Sequence, residues 1–363
     1  MDVRIALAGD VMIARGIDQV LRYSVEPELR EPAVRDARDY VLLAEKTSGP
    51  IPRNVDAGFV WGDLLPVLAE FSPHATIMNV ETSLTTSPTF APDKRIHYRA
   101  HPENAAVLDA TSNPICTLAN NHVLDFGQRG LADTLRTLRA FGIPACGAGS
   151  SRAEAEQPVV TSAPRIAVLS CCTGDSGVPP EWSANDDRPG VLRLARLDDD
   201  ALRRIEECLE PYHSDGAVAV VSIHWGGNWG YAVEREKRDF AQALIRGGIA
   251  DVVFGHSSHH PRPFELIAGK PVFYGCGDLI NDYEGIRGHE EFRPELVACY
   301  LLTIDTDARD LADLRIVPFR LRRFRLEHAN GVDAQWLAVR LEQENRRIDG
   351  PRLSAEPDGL RLL

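Results

Sequence analysis

Short apolar runs that end in potential metal ligands are the feature that most constrains the fold of this chain. The clearest case is the stretch 251–261, DVVFGHSSHHP, where residues 252–254 predict a buried strand and three histidines follow Gly255 within five residues. Neutral imidazole is a common ligand for transition metals, and loops at strand ends often carry function. Taken alone, the stretch is also compatible with a His-rich surface loop.

Five other predicted strands end in the same way. The residues that follow them are Asp10, Glu81, Asn121 with His122, His224, and Asp278. Each of these is by itself more often a helix cap or a turn residue. Because polar residues at the carboxyl ends of strands in one sheet converge on one edge, the six strand ends together predict a metal centre.

The types of side chain indicate which ions the centre would hold. Carboxylates, a carboxamide and imidazoles without a thiolate favour one or two divalent transition metal ions, namely Mn, Fe, Zn or Co. More than four ligands are present, and Glu81 could bridge two ions. His122, directly after Asn121, is predicted to act as a general acid, with Asp125 orienting its ring. Capping of a helix over 127–141 is the alternative role for Asp125.

A cationic segment lies between the second and third of these strand ends. Lys94, Arg95 and Arg99 fall within six residues of one another and could bind an anionic group of a substrate. A solvated charged turn explains the same residues equally well.

Charge and composition exclude several classes of protein. The net charge of −13 argues against a nucleic-acid partner. The seven cysteines form no CxxC pair, which disfavours a disulfide scaffold or a zinc ribbon. No leader-like N-terminus and no run of 18 apolar residues occurs, so we expect a cytoplasmic protein without a membrane anchor.

The order of elements predicts an α/β protein in which strands and amphipathic helices alternate. Residues 23–58 are rich in Pro, Arg and Glu and are predicted to form an insertion or lid within a domain covering 1–320. Residues 321–363 are predicted to form a C-terminal helix, at 332–347, and a polar tail.

The motifs resemble those of one protein family. They are GD (9–10), NVE (79–81), ANNHVLDFG (119–127), HWG (224–226), GHSSHH (255–260) and YGCGD (274–278). Together they are similar to the CapA family of bacterial poly-γ-glutamate capsule synthesis proteins, which have the calcineurin-like metallophosphoesterase fold. The resemblance covers about residues 3–283.

This resemblance implies a four-layer α-β-β-α sandwich of two mixed sheets. It assigns Asp10 and His259 to one metal ion, it makes Glu81 the bridging ligand, and it gives the second ion the ligands Asn121, His224 and His256. His122 matches the histidine that protonates a leaving group. Met12 stands where the wider phosphoesterase pattern has a histidine, and Asp278 and His260 are the candidates for an additional ligand.

Two classes of function follow from these expectations. The first is a metal-dependent hydrolase or transferase that acts on an anionic small molecule, either a phosphoester or a γ-glutamyl or peptide-type substrate. The second is a non-catalytic, metal-binding subunit that supports a polymer-forming or amide-forming synthase partner.

Overall fold

The protein, described here by a computed structural model for residues 2–363, contains two large mixed β-sheets with helices outside them. The strands are β1 (Asp2–Val11), β2 (Ala75–Val80), β3 (Ser83–Leu84), β4 (Arg99–Ala100), β5 (Pro114–Thr117), β6 (Ala145–Cys146), β7 (Ala148–Gly149), β8 (Val159–Val160), β9 (Ile166–Thr173), β10 (Gly190–Val191), β11 (Arg193–Leu194), β12 (Val218–His224), β13 (Val252–His256), β14 (Phe264–Ile267), β15 (Lys270–Phe273), β16 (Asp278–Ile280), β17 (Leu296–Asp305), β18 (Asp310–Arg322), β19 (Arg325–His328), β20 (Leu353–Glu356) and β21 (Gly359–Leu362). The α-helices are α1 (Gly16–Val20), α2 (Arg38–Ser48), α3 (Leu64–Phe71), α4 (Ala105–Asp109), α5 (Gly127–Ala140), α6 (Arg152–Ala155), α7 (Asp199–His213), α8 (Arg235–Arg246) and α9 (Gly331–Arg346).

The first sheet has the strand order β20-β21-β18-β17-β1-β2-β5-β6, with β16 beside the end of β1 and β19 beside β18. Strands β1, β2, β5 and β6 run parallel, whereas β17 and β18 are antiparallel to their neighbours. The second sheet has the order β11-β9-β12-β13-β15-β14, and only its short strands β8 and β14 are antiparallel. The parallel strands therefore end at a common edge of each sheet.

Alternation of side chains along the central strands produces four layers. In β1, Ile5 and Leu7 join the apolar core between the two sheets, while Ala6 and Ala8 face the outer core that α3 and α5 cover. The second sheet is built in the same way, with its outer face packed against α7 and α8. The predicted α/β, α-β-β-α arrangement of two mixed sheets is confirmed.

The C-terminal segment differs from its prediction. Helix α9 forms as expected, but the predicted polar tail is wrong because the segment contains the strand pair β20–β21, which extends the first sheet through β18. The insertion 23–58 contains α2, and its residues Val41, Ala44 and Ile51 pack into the outer core. Within residues 2–363, no helix has the length and apolar character needed to cross a membrane.

Asp251 fixes the start of β13, the strand that leads to the histidine loop. Its buried carboxylate accepts hydrogen bonds from the backbone N–H of Ala219 at 2.9 Å and from Lys270 Nζ at 2.7 Å, and it lies 3.0 Å from His213 Nε2. Burial alone would raise the pKa of Asp251, but its bonds to His213, Lys270 and Ala219 outweigh burial and lower the pKa to about 2.

We expect Asp251→Asn to lower the free energy of unfolding at pH 7 by about 2 kcal/mol, which is the linkage value of the lowered pKa. Because the folded-state pKa lies below the ordinary value of 3.8, this stabilisation is complete above about pH 4 and is lost as the pH falls towards about 2. Denaturant unfolding at several pH values measures it. Asp313→Asn, which removes an exposed partner of Arg361, is the control and should change stability by less than about 1 kcal/mol. Equal losses in the two variants would contradict the prediction.

Candidate metal centre

Asp10 lies where the two sheets meet, at the end of β1. In the parallel register it stands beside Asp278 of β16 and Asn79 of β2. A Cβ atom at Gly9 would lie 1.7 Å from the carbonyl oxygen of Gly277, so only glycine at this position lets the two segments approach. The Asp10 carboxylate is fully buried and accepts hydrogen bonds from Asn79 Nδ2 at 2.7 Å and from the backbone N–H of Ser257 at 3.0 Å.

Asp10, His224 and His256 form a first cluster of buried potential ligands. The parallel pairing of β12 with β13 sets His224 beside His256, and their Nδ1 atoms are 2.8 Å apart. Asp10 Oδ1 lies 4.0 Å from Nδ1 of His224 and 3.7 Å from Nδ1 of His256. Ser222 Oγ lies within hydrogen-bond distance of His256 Nε2, at 2.7 Å, and Asn121 Oδ1 lies 3.1 Å from His224 Nε2. The Nδ1 atoms therefore point towards the shared carboxylate.

Asp10, His259 and Asp278 form a second cluster. His259 Nδ1 lies 2.9 Å from Asp278 Oδ1, and its Nε2 is 2.9 Å from Asn228 Nδ2. Asn281 Nδ2 donates to Asp278 Oδ2 at 2.9 Å. Asp10 thus belongs to both clusters, and Asp278, which the sequence offered as a possible additional ligand, lies in the second.

Met12, which stands where the phosphoesterase pattern described above would have a histidine, is part of a small apolar cluster with Ala14 and Tyr98. The hydroxyl of Tyr283 donates to Met12 Sδ at 3.6 Å. Because Asp278 lies next to Asp10 in the sheet, it supplies a potential ligand that position 12 does not.

Glu81 lies beside the two clusters without being a member of either. Its Oε1 is 3.6 Å from His122 Nε2, and within residues 2–363 its buried Oε2 has no hydrogen-bond partner. Burial and the neighbouring charges of Asp10 and Asp278 raise the pKa of Glu81 well above its usual range. The residue common to both clusters is Asp10, so the bridging role of Glu81 stays a prediction.

His122 and Asp125 form a hydrogen-bonded pair next to the clusters. His122 Nδ1 lies 2.5 Å from Asp125 Oδ2, which also accepts from the backbone N–H of Tyr98 at 2.6 Å. The Tyr98 ring stacks on the imidazole with centroids 4.0 Å apart. Lys94 donates to Asp125 Oδ1 and to the backbone carbonyl of Asn121. Since Nδ1 is held by Asp125, Nε2 is the ring nitrogen of His122 that is free to exchange a proton.

Three residues proposed from sequence lie apart from the clusters. His260 is hydrogen-bonded through both ring nitrogens, to the backbone N–H of Gly230 at 3.1 Å and to the carbonyl of Pro261 at 3.1 Å. The Arg99 guanidinium is buried and donates to backbone carbonyl groups, while Arg95 is exposed and forms no ion pair within the described chain. Of the predicted cationic group, only Lys94 reaches the site.

The electrostatics of the site fit a bound cation. Burial, with the nearby charge of Asp278, raises the pKa of Asp10 to about 7. Burial lowers the pKa of His256 to about 3 and that of His224 well below its usual value, which favours neutral, ligand-competent imidazoles. Clustered carboxylates, the neutral imidazoles of His224 and His256, and the unpartnered Oε2 of Glu81 are donors that divalent transition metals prefer. The residues present therefore fit one or two such ions.

The residues that orient the potential ligands were missed by the sequence analysis. They are Asn79, Ser222, Asn228 and Asn281. Asn79 and Asn281 lie within three residues of a predicted ligand at a strand end, which was a usable signal. Ser222 lies inside an apolar strand and Asn228 in a loop, so only the three-dimensional structure links them to the site.

Comparison with known proteins identifies the family. Residues 4–283 match the family described as bacterial capsule synthesis protein PGA_cap. A probable polyglutamine synthesis accessory protein of Mycobacterium tuberculosis is 43% identical over 366 residues, covering 99% of this chain and 95% of that protein. The capsule biosynthesis protein CapA of Bacillus anthracis is 25% identical over 224 residues, covering 62% of this chain and 53% of that protein.

Two solved structures align with most of this chain at low sequence identity. A phosphatase of Mycoplasma pneumoniae has a TM-score of 0.49 at 12% identity, covering 92% of this chain and 97% of that one. The calcineurin-like phosphoesterase YfkN of Bacillus subtilis has a TM-score of 0.44 at 11% identity, covering 96% and 99%. The match to the family model and the 43% identity confirm the resemblance found in the motifs: the chain belongs to the PGA_cap family of bacterial capsule synthesis proteins.

Proposed function

We propose that the protein is a metal-dependent enzyme whose centre holds one or two divalent transition metal ions, Mn, Fe, Zn or Co. One observation carries the proposal, namely two buried sets of three potential ligands that share Asp10. Asp10, His224 and His256, with Asn121 alongside, would hold one ion, and Asp10, His259 and Asp278 would hold the other. Glu81, whose buried Oε2 has no hydrogen-bond partner within the described residues, would add a carboxylate oxygen to the centre. When bound, such ions polarise a substrate oxygen and stabilise negative charge on it.

His122 is the residue that would move a proton. Burial lowers the pKa of His122 to about 4, so the ring is neutral near pH 7. Asp125 holds Nδ1, and Tyr98 packs against the ring face. A neutral ring held in this way can accept a proton at Nε2 and return it to a leaving group. Asp125 would act through His122, by fixing its tautomer and orientation.

The substrate class that we propose is an anionic γ-glutamyl or peptide-type amide, with a phosphoester as the second class to be tested. The names of the relatives support the first class, since they refer to polyglutamine synthesis and capsule biosynthesis. The reaction would be hydrolysis of the amide or transfer of its acyl group. Arg95, exposed and without an ion pair in the described chain, lies outside the centre and would contact only a part of the substrate that extends beyond it.

A second candidate function is a non-catalytic, metal-binding subunit of a polymer-forming or amide-forming synthase. The observation that favours it is the name of the M. tuberculosis relative, which describes an accessory protein. The same metal centre would then stabilise the fold around a surface that contacts the synthase.

We expect substitution of Asp10 to remove more bound metal than substitution of a residue that belongs to only one cluster. If the wild type holds two ions, His256→Ala and Asp278→Ala should each hold one, because each removes a ligand from a single cluster. Asp10→Ala should lose most of both. Elemental analysis after loading with manganese measures the content, and His328→Ala, at an exposed position, serves as a control that should match the wild type. Equal loss in Asp10→Ala and Asp278→Ala would contradict a shared ligand.

His122→Ala should lower kcat by about 10²–10⁴-fold while the metal content stays at the wild-type level, since the side chain is proposed to move a proton and not to coordinate. The assay uses manganese-loaded protein with one panel of γ-glutamyl amides and one of phosphoesters. A metal-loaded wild type that is inert on both panels would favour the accessory subunit. Unchanged activity in His122→Ala would remove this residue from the mechanism.

A further inference from the structure

Lys94 stands out because its ammonium group is directed into the site, towards Asp125 and Asn121. It lies in the segment between β3 and β4, and its side chain is 19% exposed. The ammonium group donates to Asp125 Oδ1 and to the backbone carbonyl of Asn121, and it lies 3.3 Å from His122 Nδ1. The ring of Trp182 lies 5.0 Å from Nζ.

These contacts commit most of the donor capacity of Lys94 to the protein itself. Two of the three ammonium hydrogens are donated to Asp125 Oδ1 and to the Asn121 carbonyl, and the group lies over the ring of Trp182. His122 Nδ1 does not accept from Lys94, because in the neutral ring it carries the hydrogen that is directed at Asp125. Its neighbour Arg95, in contrast, is exposed. The two adjacent cations therefore have different roles, although the sequence groups them together.

We infer that Lys94 is a positioning residue, which holds the proton-moving His122 and the potential ligand Asn121 in fixed relation. The inference rests on the proposed function, since it concerns the same site. Asp125 is the link to His122, because one carboxylate oxygen accepts from Lys94 and the other contacts the imidazole. The backbone carbonyl of Asn121 is the link to the metal centre, because the side chain of the same residue lies 3.1 Å from His224 Nε2.

Removing the ammonium group would weaken both the contact with Asp125 and the contact with the Asn121 carbonyl. Asp125 is fully buried, so losing Lys94 removes the cation that offsets much of the desolvation of its carboxylate. The Asn121 carbonyl loses a charge-assisted hydrogen bond at the same time. Both effects loosen the turn at 120–122, whose backbone is otherwise held by Asn120 Oδ1 accepting from the N–H groups of His122 and Val123, each at 3.0 Å.

The test compares Lys94→Met with Arg95→Met, two neighbouring substitutions that each remove one positive charge. Lys94→Met should weaken manganese binding by about 10–100-fold at one of the two sites in calorimetric titrations of metal-free protein, as expected when a partner that orients a ligand is lost. Amide hydrogen exchange of residues 119–125 should be faster in the same variant. Arg95→Met should match the wild type in both measurements.

A chemical rescue separates positioning from general damage to the fold. Lys94→Cys alkylated with 2-bromoethylamine regenerates an ammonium group of nearly the same reach and should restore manganese affinity and slow exchange. Of the seven native cysteines, all but the half-buried Cys208 are buried and so resist alkylation, and wild-type protein treated in parallel controls for Cys208.

The outcomes distinguish this inference from the proposed function. A wild type that binds no transition metal would overturn the proposed function, while the exchange comparison would still decide whether Lys94 holds the 120–122 turn. Metal affinity and exchange that remain at wild-type values in Lys94→Met, together with a raised KM, would overturn the inference and assign Lys94 to substrate binding.

Discussion

The burial of several carboxylates at one edge of the fold is the constraint on which the rest of the site depends. Asp10, Asp278 and Glu81 are all at most 2% exposed, and no Lys or Arg side chain forms an ion pair with any of them within residues 2–363. Their positions follow from the register of β1, β2 and β16, which end side by side. Burying several carboxylates close together is costly unless an opposite charge is near, and this supports the proposal of a bound cation.

The sequence predicts the fold well where a local pattern controls it. Apolar runs predicted the central strands of both sheets, because strands buried on both faces require continuous apolar residues. The same runs led to most of the ligand-type residues, since His224 and His256 end β12 and β13 and Glu81 directly follows β2. Asp278 differs, because it begins the short strand β16. The polar tail failed for the opposite reason: β20 and β21 have little apolar pattern of their own and depend on pairing with β18.

What the sequence could not predict about the site is the relation between residues on different strands. That Asp10, and not Glu81, belongs to both clusters follows from its register against Asp278 and from its position across from His256. Lys94 and Arg99, which the sequence analysis grouped as substrate-binding cations, make different contacts, because proximity along the chain does not determine where a side chain points. Lys94 points to Asp125, whereas Arg99 donates to the backbone of Ser87 and Glu26.

The insertion 23–58 is connected to the same site through Arg15. The Arg15 guanidinium is buried, donates to Glu31 and Tyr40 of the insertion, and pairs with Asp282, which follows β16. Its backbone φ of 51° is unusual for a non-glycine residue, and Asp282 also fixes it by accepting from the N–H of Gly16 at 2.9 Å. The Tyr98 ring lies between this arginine, 4.7 Å away, and the imidazole of His122. The segment predicted as an insertion or lid is therefore joined, through a buried arginine and a tyrosine ring, to His122, the residue proposed to move a proton.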